Sequence, residues 1–283
     1  MTAVSRLAVV RALRTPKGAI AGGLLILVIL AALFAPWLAP FDYGAQNLPL
    51  AYAPPGGPYV LGTDELGRDL LSRIIYGART SLTVAFISIL VSVLAGLTLG
   101  AAAAYYGGLF DRIITSIVDL TWSFPEILIA LILVAIIGGG LQTTMIAIAI
   151  AYLAQFTRLT RAQILTIKAE TYVEASRSLG ASDLFILSRH LIPNALAPVL
   201  VTAMMATGDA IILEATLGFF GLGAQPPTPS WGAMMSSGSA LMFKAPGIII
   251  FPGLALALTV IAINVYGDSL IRALDLRERL REV

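Results

Sequence analysis

Long stretches of the chain carry no charged residue, among them Gly18 to Phe41, Thr80 to Phe110, Ile127 to Thr157 and Ala245 to Gly267. A hydrocarbon layer about 30 Å thick is crossed by about 20 helical residues, each rising about 1.5 Å. Only segments that satisfy their own backbone hydrogen bonds can stay there, so such runs commit the chain to membrane-spanning helices. Composition agrees. The 283 residues are 58% hydrophobic and 12% charged, with a mean hydropathy of +0.90, whereas a soluble domain is about 25% charged. A soluble enzyme and a disordered chain are excluded, and a net charge of +2 is too small to suggest a nucleic-acid partner. With no cysteine there is no disulfide, thiolate metal site or cysteine nucleophile.

The runs predict six crossings. Helix 1 lies within GAIAGGLLILVILAALFAPWLAPF and ends at Pro36 and Pro40. A cleavable signal peptide fits less well, because the apolar part exceeds the usual core of ~7 to 15 residues and Ala-Pro-Trp is a poor cleavage site. Helix 2 covers Leu82 to Tyr105 and stops at Gly107-Gly108. Two crossings plus a turn do not fit between Glu126 and Arg158. Helix 3 is therefore placed from Ile113 to Ile137, with Asp119, Pro125 and Glu126 in its first half and both acids facing protein or water. Helix 4 runs from Thr143 to Leu165, helix 5 from Leu196 to Leu217 and helix 6 from Gly247 to Tyr266. With the N-terminus inside, fourteen of the eighteen basic residues, Arg6 and Arg281 among them, fall on the cytoplasmic side. The fold class read from this pattern is an all-α membrane protein with six transmembrane helices and both termini cytoplasmic. Residues 1–78 hold the tail, first helix and outer loop, residues 79–270 a five-helix core, and residues 271–283 a cytoplasmic tail.

Three loops are long. In the outer loop Asp42 to Ala78, Thr63 or Asp64 can N-cap an amphipathic helix with Leu66, Leu70, Leu71, Ile74 and Ile75 on one side, lying at the membrane surface. The loop Gly218 to Pro246 is rich in Gly and Pro yet apolar, which suits a lid or re-entrant segment with Trp231 and Phe243 at the interface. The loop Arg158 to Asn194 holds Glu174, Ala175, Ser176, Arg177, Gly180 and Pro193. Ala169 to Leu179 suits a short helix capped by Gly180, and Ser182 or Asp183 can start a second that ends before Pro193. Small side chains at Ala175 and Ser176 admit a close-approaching surface, with Glu174 and Arg177 offering charge pairs at its rim. A solvated surface helix explains the same residues without any partner.

Taken together, these fragments resemble the permease subunits of ABC importers in the dipeptide, oligopeptide and nickel class, and the second of the two permeases such systems use. Glu174-Ala-Ser-x-x-x-Gly180 followed by Pro193 matches the EAA loop, departing at Ser176, His190 and Ile192. The subgroup pattern continues in Leu61-Gly62-Thr63-Asp64-x-x-Gly67-Arg68-Asp69 with Ser72-Arg73, in Leu217-Gly-Phe-x-Gly-x-Gly-Ala-Gln-Pro-Pro-Thr-Pro229 with Trp231-Gly232, and in Asn264-x-x-Gly267-Asp268. The resemblance spans nearly the whole chain. It implies a type I importer permease fold in the bacterial cytoplasmic (inner) membrane and no catalytic residue or bound cofactor on this chain. ATP and Mg would be used by two separate ATPase subunits, with a second homologous permease completing a heterodimer and a periplasmic or lipid-anchored binding protein delivering substrate. It also implies that the helix at Glu174 docks on an ATPase. Consistent with this, none of Lys17, Lys168 and Lys244 stands in the Gly-Lys-Ser or Gly-Lys-Thr of a P-loop.

Two other classes draw on some of the same residues. An ion-coupled secondary transporter would rest on Asp209, Glu214 and Asn264, but no inverted internal repeat accompanies them. Under the importer reading these three hold helices together or line the path. An intramembrane hydrolase lacks a base near helix-centre serines such as Ser88 and Ser92, since the single histidine, His190, is in the loop. A metal site is not expected from one His and no Cys. Substrate is expected among di- and oligopeptides, with nickel, glutathione, opines and other small solutes as alternatives.

Overall fold

The structure is a computed structural model and describes residues 11–240 and 242–279, with side chains described as far as Ala273. Of the basic residues counted above, Arg6 and Arg281 lie outside the described residues. The elements are helical throughout: α1 Pro16–Leu33, α2 Ala35–Leu38, α3 Leu70–Tyr106, α4 Gly108–Trp122, α5 Glu126–Ile137, α6 Leu141–Lys168, α7 Thr171–Ser178, α8 Asp183–Ile186, α9 Ile192–Phe219, α10 Trp231–Ser239 and α11 Gly247–Arg279. Among the described residues, pairing of extended backbone is limited to the isolated bridges Gly56 to Tyr59 and Thr63 to Asp69.

Four helical stretches are long and apolar enough to cross a membrane: Pro16–Leu33, Leu70–Tyr106, Asp183–Phe219 and Gly247–Ala273. The bent pair α4 and α5 makes a fifth if it is one span. The predicted helix from Ile113 to Ile137 is thus two helices, starting earlier at Gly108 and bent by 93° around residues 123–125. The cause is local. Pro125 has no N–H to donate and its ring disfavours helical backbone at Phe124, while the Ser123 hydroxyl caps the broken end by donating to Asp119 O at 2.9 Å. The predicted amphipathic helix at Thr63 is also corrected. Residues 63–69 are irregular, and helix α3 begins only at Leu70, where the Asp69 carboxylate accepts the Ser72 N–H at 2.8 Å. Leu70, Leu71, Ile74 and Ile75 belong to a 37-residue helix that continues into the span, and Leu66 stays in the irregular stretch before it.

The chain divides into two compact units, Met1–Phe86 with Val134–Met145 and Met204–Val283, and Ile87–Leu133 with Ile146–Ala203. In the first, α1 buries Gly18, Ala21, Gly22 and Ala32 and leaves Ile20, Leu27 and Leu33 exposed, as a lipid-facing helix requires. Gly22 is its contact with α11, where an added Cβ would lie 3.3 Å from the Tyr266 ring. Helix α10 lies against α9 and α11: a Cβ on Gly232 would run into the Ala215 carbonyl, and one on Gly238 would come within 2.9 Å of Ile248. Trp231 is 1% exposed, so it is a core residue and not the interfacial anchor predicted, whereas Phe243 is fully exposed.

In the second unit, α3 crosses α6 where Gly96 and Gly100 remove the side chains that would collide with Phe156 and Thr157. Ser92 fastens the crossing by donating to Ala149 O at 2.7 Å, and Arg161 clamps Asp111 of α4 through two bonds of 2.6 and 2.7 Å. A core of Ala101, Ala104, Tyr105, Ile164, Val173, Ile186, Leu191 and Ala195 joins the C-terminal end of α3 to the segment 158–194.

Candidate functional site

The segment between α6 and α9 folds much as its residues dictate. Helix α7 carries Glu174 in its first turn and Arg177 in its last, each at the end of the helix dipole that favours its charge. Gly180, at φ +82°, ends it in a complete Schellman motif: the Gly180 N–H donates to Arg177 O at 3.0 Å and the Ala181 N–H to Ser176 O at 3.1 Å. Ser182 then N-caps α8 through the Phe185 N–H at 3.4 Å. Helix α8 ends at Ile186, but the helical path does not break before Pro193. A π-helical turn, Leu187–Leu191, carries the chain straight into α9, with the Ile192 N–H bonded back to Leu187 O. Pro193 falls in the first turn of α9, where a missing N–H costs little, and the wider turn absorbs the mismatch.

What this hairpin presents is informative. Val173 is 1% exposed and pins α7 to the core, while Glu174, Ala175, Arg177 and Gly180 all face outward. Leu179 and Leu184, 89% and 75% exposed, flank the turn. Nothing lies within 4 Å of a Cβ built on Gly180, so its surroundings are open and only its backbone demands glycine. Ser176 and His190, two of the three departures from the EAA pattern, touch each other: Ser176 Oγ lies 3.3 Å from His190 Nε2. Tyr172 and Phe185 pack edge-on to the same ring, and Asn194 Nδ2 donates to His190 O at 2.6 Å and to the Tyr172 hydroxyl at 3.3 Å. In the sequence His190 stands out as the single histidine and as a departure from the motif, with no sign of these partners.

The second set of motif residues forms a clasp. Asp64 Oδ1 accepts the Leu66 and Arg68 N–H groups at 2.9 and 3.0 Å, and its Oδ2 pairs with Arg68 Nε at 2.6 Å and Arg73 Nε at 3.2 Å. Arg73 also donates to Tyr43 O at 3.1 Å. Asp69 receives the Ser72 hydroxyl at 2.6 Å, and that oxygen in turn accepts the Phe41 N–H at 3.0 Å. Thr63 accepts from Ala53 N–H and donates to Leu50 O. Gly62 and Gly67 have φ of +83° and +71° and sit so close to Ala53 and Asn47 that no Cβ fits. Thr63, Asp64, Arg68, Asp69 and Arg73 are all at most 6% exposed. These residues lock the 42–69 loop onto α3 and present no open charged surface. Arg73 belongs to the motif, but nothing in the sequence singles it out as a site residue.

Asp209, Glu214 and Asn264 do not converge. Asp209 is exposed on α9, Asn264 packs beside Gly208, and Glu214 is 1% exposed. Five residues apart, Asp209 and Glu214 point about 140° away from each other around the helix. The fully buried Ser81 and Ser230 hydroxyls face Glu214. Their oxygens accept the Trp231 and Ala233 N–H groups of α10 at 3.4 and 3.3 Å, and among the described residues neither Glu214 carboxylate oxygen has a hydrogen-bond partner. Glu214 thus belongs to the packing of α10 on α3 and α9. Among the described residues no group of His, Cys, Asp and Glu could hold a metal ion.

Known proteins share both the sequence pattern and the fold. Residues 92–280 match the family described as "Binding-protein-dependent transport system inner membrane component", and residues 6–55 the "N-terminal TM domain of oligopeptide transport permease C". The chain is 44% identical over 264 residues to the glutathione transport system permease protein GsiD of Pectobacterium atrosepticum, covering 91% of this chain and 86% of that one. It is also 44% identical over 267 residues to the di/tripeptide transport system permease protein DppC of Pseudomonas aeruginosa, covering 92% and 88%. To the dipeptide transport system permease protein DppC of Alkalihalophilus pseudofirmus it is 41% identical over 255 residues, covering 89% and 84%. A solved structure of the MetNI methionine ABC transporter, in an inward-facing conformation, has the same fold over 72% of this chain and 97% of that one, with a TM-score of 0.59 at 21% identity. The chain belongs to the family of binding-protein-dependent transport system inner membrane components: it is a multi-pass permease subunit of a bacterial ABC importer, with the type I fold, in the inner membrane.

Proposed function

We propose that this permease is the second of two homologous permease subunits in an importer of short peptides, and that α7 with Gly180 is the element through which an ATPase drives it. An ABC importer permease works with ATPase and substrate-binding subunits; two ATPases, a heterodimeric partner permease and a periplasmic or lipid-anchored binding protein complete this reading. Residues 79–270 would form the transporting core. ATP and Mg act in the ATPases.

The observation that carries the docking assignment is the exposed turn itself. A short helix, held to the core by Val173, ends in a glycine turn flanked by the outward leucines Leu179 and Leu184, with Glu174 and Arg177 beside them. Covering the apolar area of Leu179 and Leu184 with another surface is favourable, and small Ala175 lets that surface come close to the backbone. For the substrate, the relatives named for di/tripeptides and for glutathione have in common a short, zwitterionic peptide-like solute.

The test is purification of the tagged chain from its native membrane in mild detergent. Recovery of a homologous permease and P-loop ATPases is expected, with ATP-driven uptake of labelled Ala-Ala in proteoliposomes that excess unlabelled dipeptide suppresses. Glu174→Lys and Gly180→Val should insert normally and cut dipeptide-stimulated ATP hydrolysis at least about tenfold; the left-handed backbone alone costs a β-branched residue ~1–2 kcal/mol. Wild-type coupling in both variants would remove the docking assignment, and uptake of glutathione but not of Ala-Ala would narrow the substrate to that thiol peptide.

A further inference from the structure

The docking hairpin is attached to more than its own two flanking helices. Tyr105, at the C-terminal end of α3 and 6% exposed, donates its hydroxyl to Asp183 Oδ1 at 2.5 Å, in the first turn of α8. Lys168 Nζ, from the last turn of α6, and Arg177 Cζ, from the last turn of α7, lie 5.4 and 5.7 Å from the centre of the Tyr105 ring. Lys168 also donates to Ala104 O at 3.2 Å and Tyr105 O at 2.7 Å, capping carbonyls that the end of α3 leaves without intrahelical donors. One aromatic side chain therefore meets three successive elements of the 158–194 segment, from a helix that precedes them by 63 to 78 positions.

Tyr172, Ser176 and Phe185 tie the hairpin to His190 and to Asn194 at the start of α9, and Tyr105 adds the polar tie to α3. Helix α7 is 8 residues long and α8 is 4, too short to be stable or to keep a direction by themselves. Full burial is limited to Val173 and Ile186, and the side chains between them are exposed or half-buried. Rotation about those two apolar pins is opposed by directional contacts, and Tyr105 supplies those from α3: a charge-assisted hydrogen bond on α8 and a cation–π contact on α7.

We infer that Tyr105 is a positioning residue for coupling, a latch that makes α3 a third lever driven by the docking hairpin beside α6 and α9. The inference rests on the docking role proposed for α7. Tyr105→Phe removes only the bond to Asp183 and keeps the ring between the two cations, so it preserves the core. Asp183→Ala removes the same bond from the other side and leaves the Ser182 cap in place.

The test uses the whole transporter, reconstituted in nanodiscs with its ATPases. Amide hydrogen exchange across residues 182–187 should quicken roughly ten- to hundredfold in either variant, the measure of one charge-assisted hydrogen bond, and the double variant should exchange no faster than the faster single. The ratio of Ala-Ala-stimulated to basal ATP hydrolysis should fall in parallel, while the ATPases remain bound. Unchanged exchange in Tyr105→Phe, or effects that multiply in the double variant, overturns the latch. Quickened exchange with intact coupling, in a preparation where Glu174→Lys is uncoupled, makes Tyr105 a packing residue only and also overturns it. If Glu174→Lys itself stays coupled, the docking role fails, whatever Tyr105 does.

Discussion

Charged residues in this protein do work that depends on their depth, and the 42–69 loop shows the difference within two adjacent positions. Asp64 is 2% exposed and faces two arginines, so its removal strands Arg73 without a paired carboxylate and leaves Arg68 only the more exposed Glu65. Breaking a buried pair in this way costs ~3–5 kcal/mol. Glu65 pairs with Arg68 across 2.8 Å, but its side chain is 25% exposed and solvent screens the contact, so its loss costs less than ~1 kcal/mol. Asp64→Ala should therefore lower the unfolding temperature of the purified protein by many degrees and Glu65→Gln by almost none, as read by a thermal unfolding scan in detergent. Equal effects would show that the clasp is not the rigid part of this loop. The residue types and their spacing were legible in the sequence. What Asp64 does was not: helix N-capping was the reading that local chemistry allowed, and only the arrival of Arg73 from α3 turned the same carboxylate into the centre of an ion cluster.

Among the elements, the crossing of α3 and α6 separates glycines that matter from glycines that merely occur. A Cβ on Gly96 would stand 2.5 Å from Phe156 Cβ, between two rigid helices, whereas a Cβ on Gly23 of α1 meets nothing within 4 Å. Gly96→Leu should fold poorly, with overpacking of at least ~1–3 kcal/mol and a sharp loss of monodisperse protein on size-exclusion chromatography. Gly23→Leu should behave as wild type. Spacing alone did not distinguish them, since Gly18 and Gly22 share the four-residue interval of Gly96 and Gly100. Of these two glycines of α1, Gly22 lies against Tyr266 of α11, whereas Gly18 crowds the Ala12 carbonyl. Element boundaries followed a similar rule. Gly180 ended α7 as its backbone preference requires, but Pro193 did not end anything, because a π-helical turn shifted it to the start of α9. The break at Pro125 was placed inside a continuous span, since charge and hydropathy register that a segment is apolar and not that its axis has turned.

At the scale of the whole molecule we propose six spans with both termini in the cytoplasm, one more than the four long apolar helices and the bent pair supply. The chain contains no cysteine, so single cysteines can report sidedness without further engineering. Cysteine at Ser5 should react with a membrane-impermeant maleimide only in inside-out vesicles, and cysteine at Ser237, exposed on α10, only in intact spheroplasts. Reaction of both from one side would overturn the even number of spans. The membrane class, the all-helical fold and the importer permease family were all legible in the sequence by itself, for one reason: each is written in local properties, namely uninterrupted apolar length and short motifs whose order survives in the linear chain. The tertiary structure decided which polar groups find one another. Tyr105 and Asp183 are 78 positions apart and Trp231 reaches the Ile74 carbonyl across 157. No periodicity encodes such pairs, because they exist only once apolar packing has brought distant helix ends together and left each buried donor to take the acceptor that lies nearest.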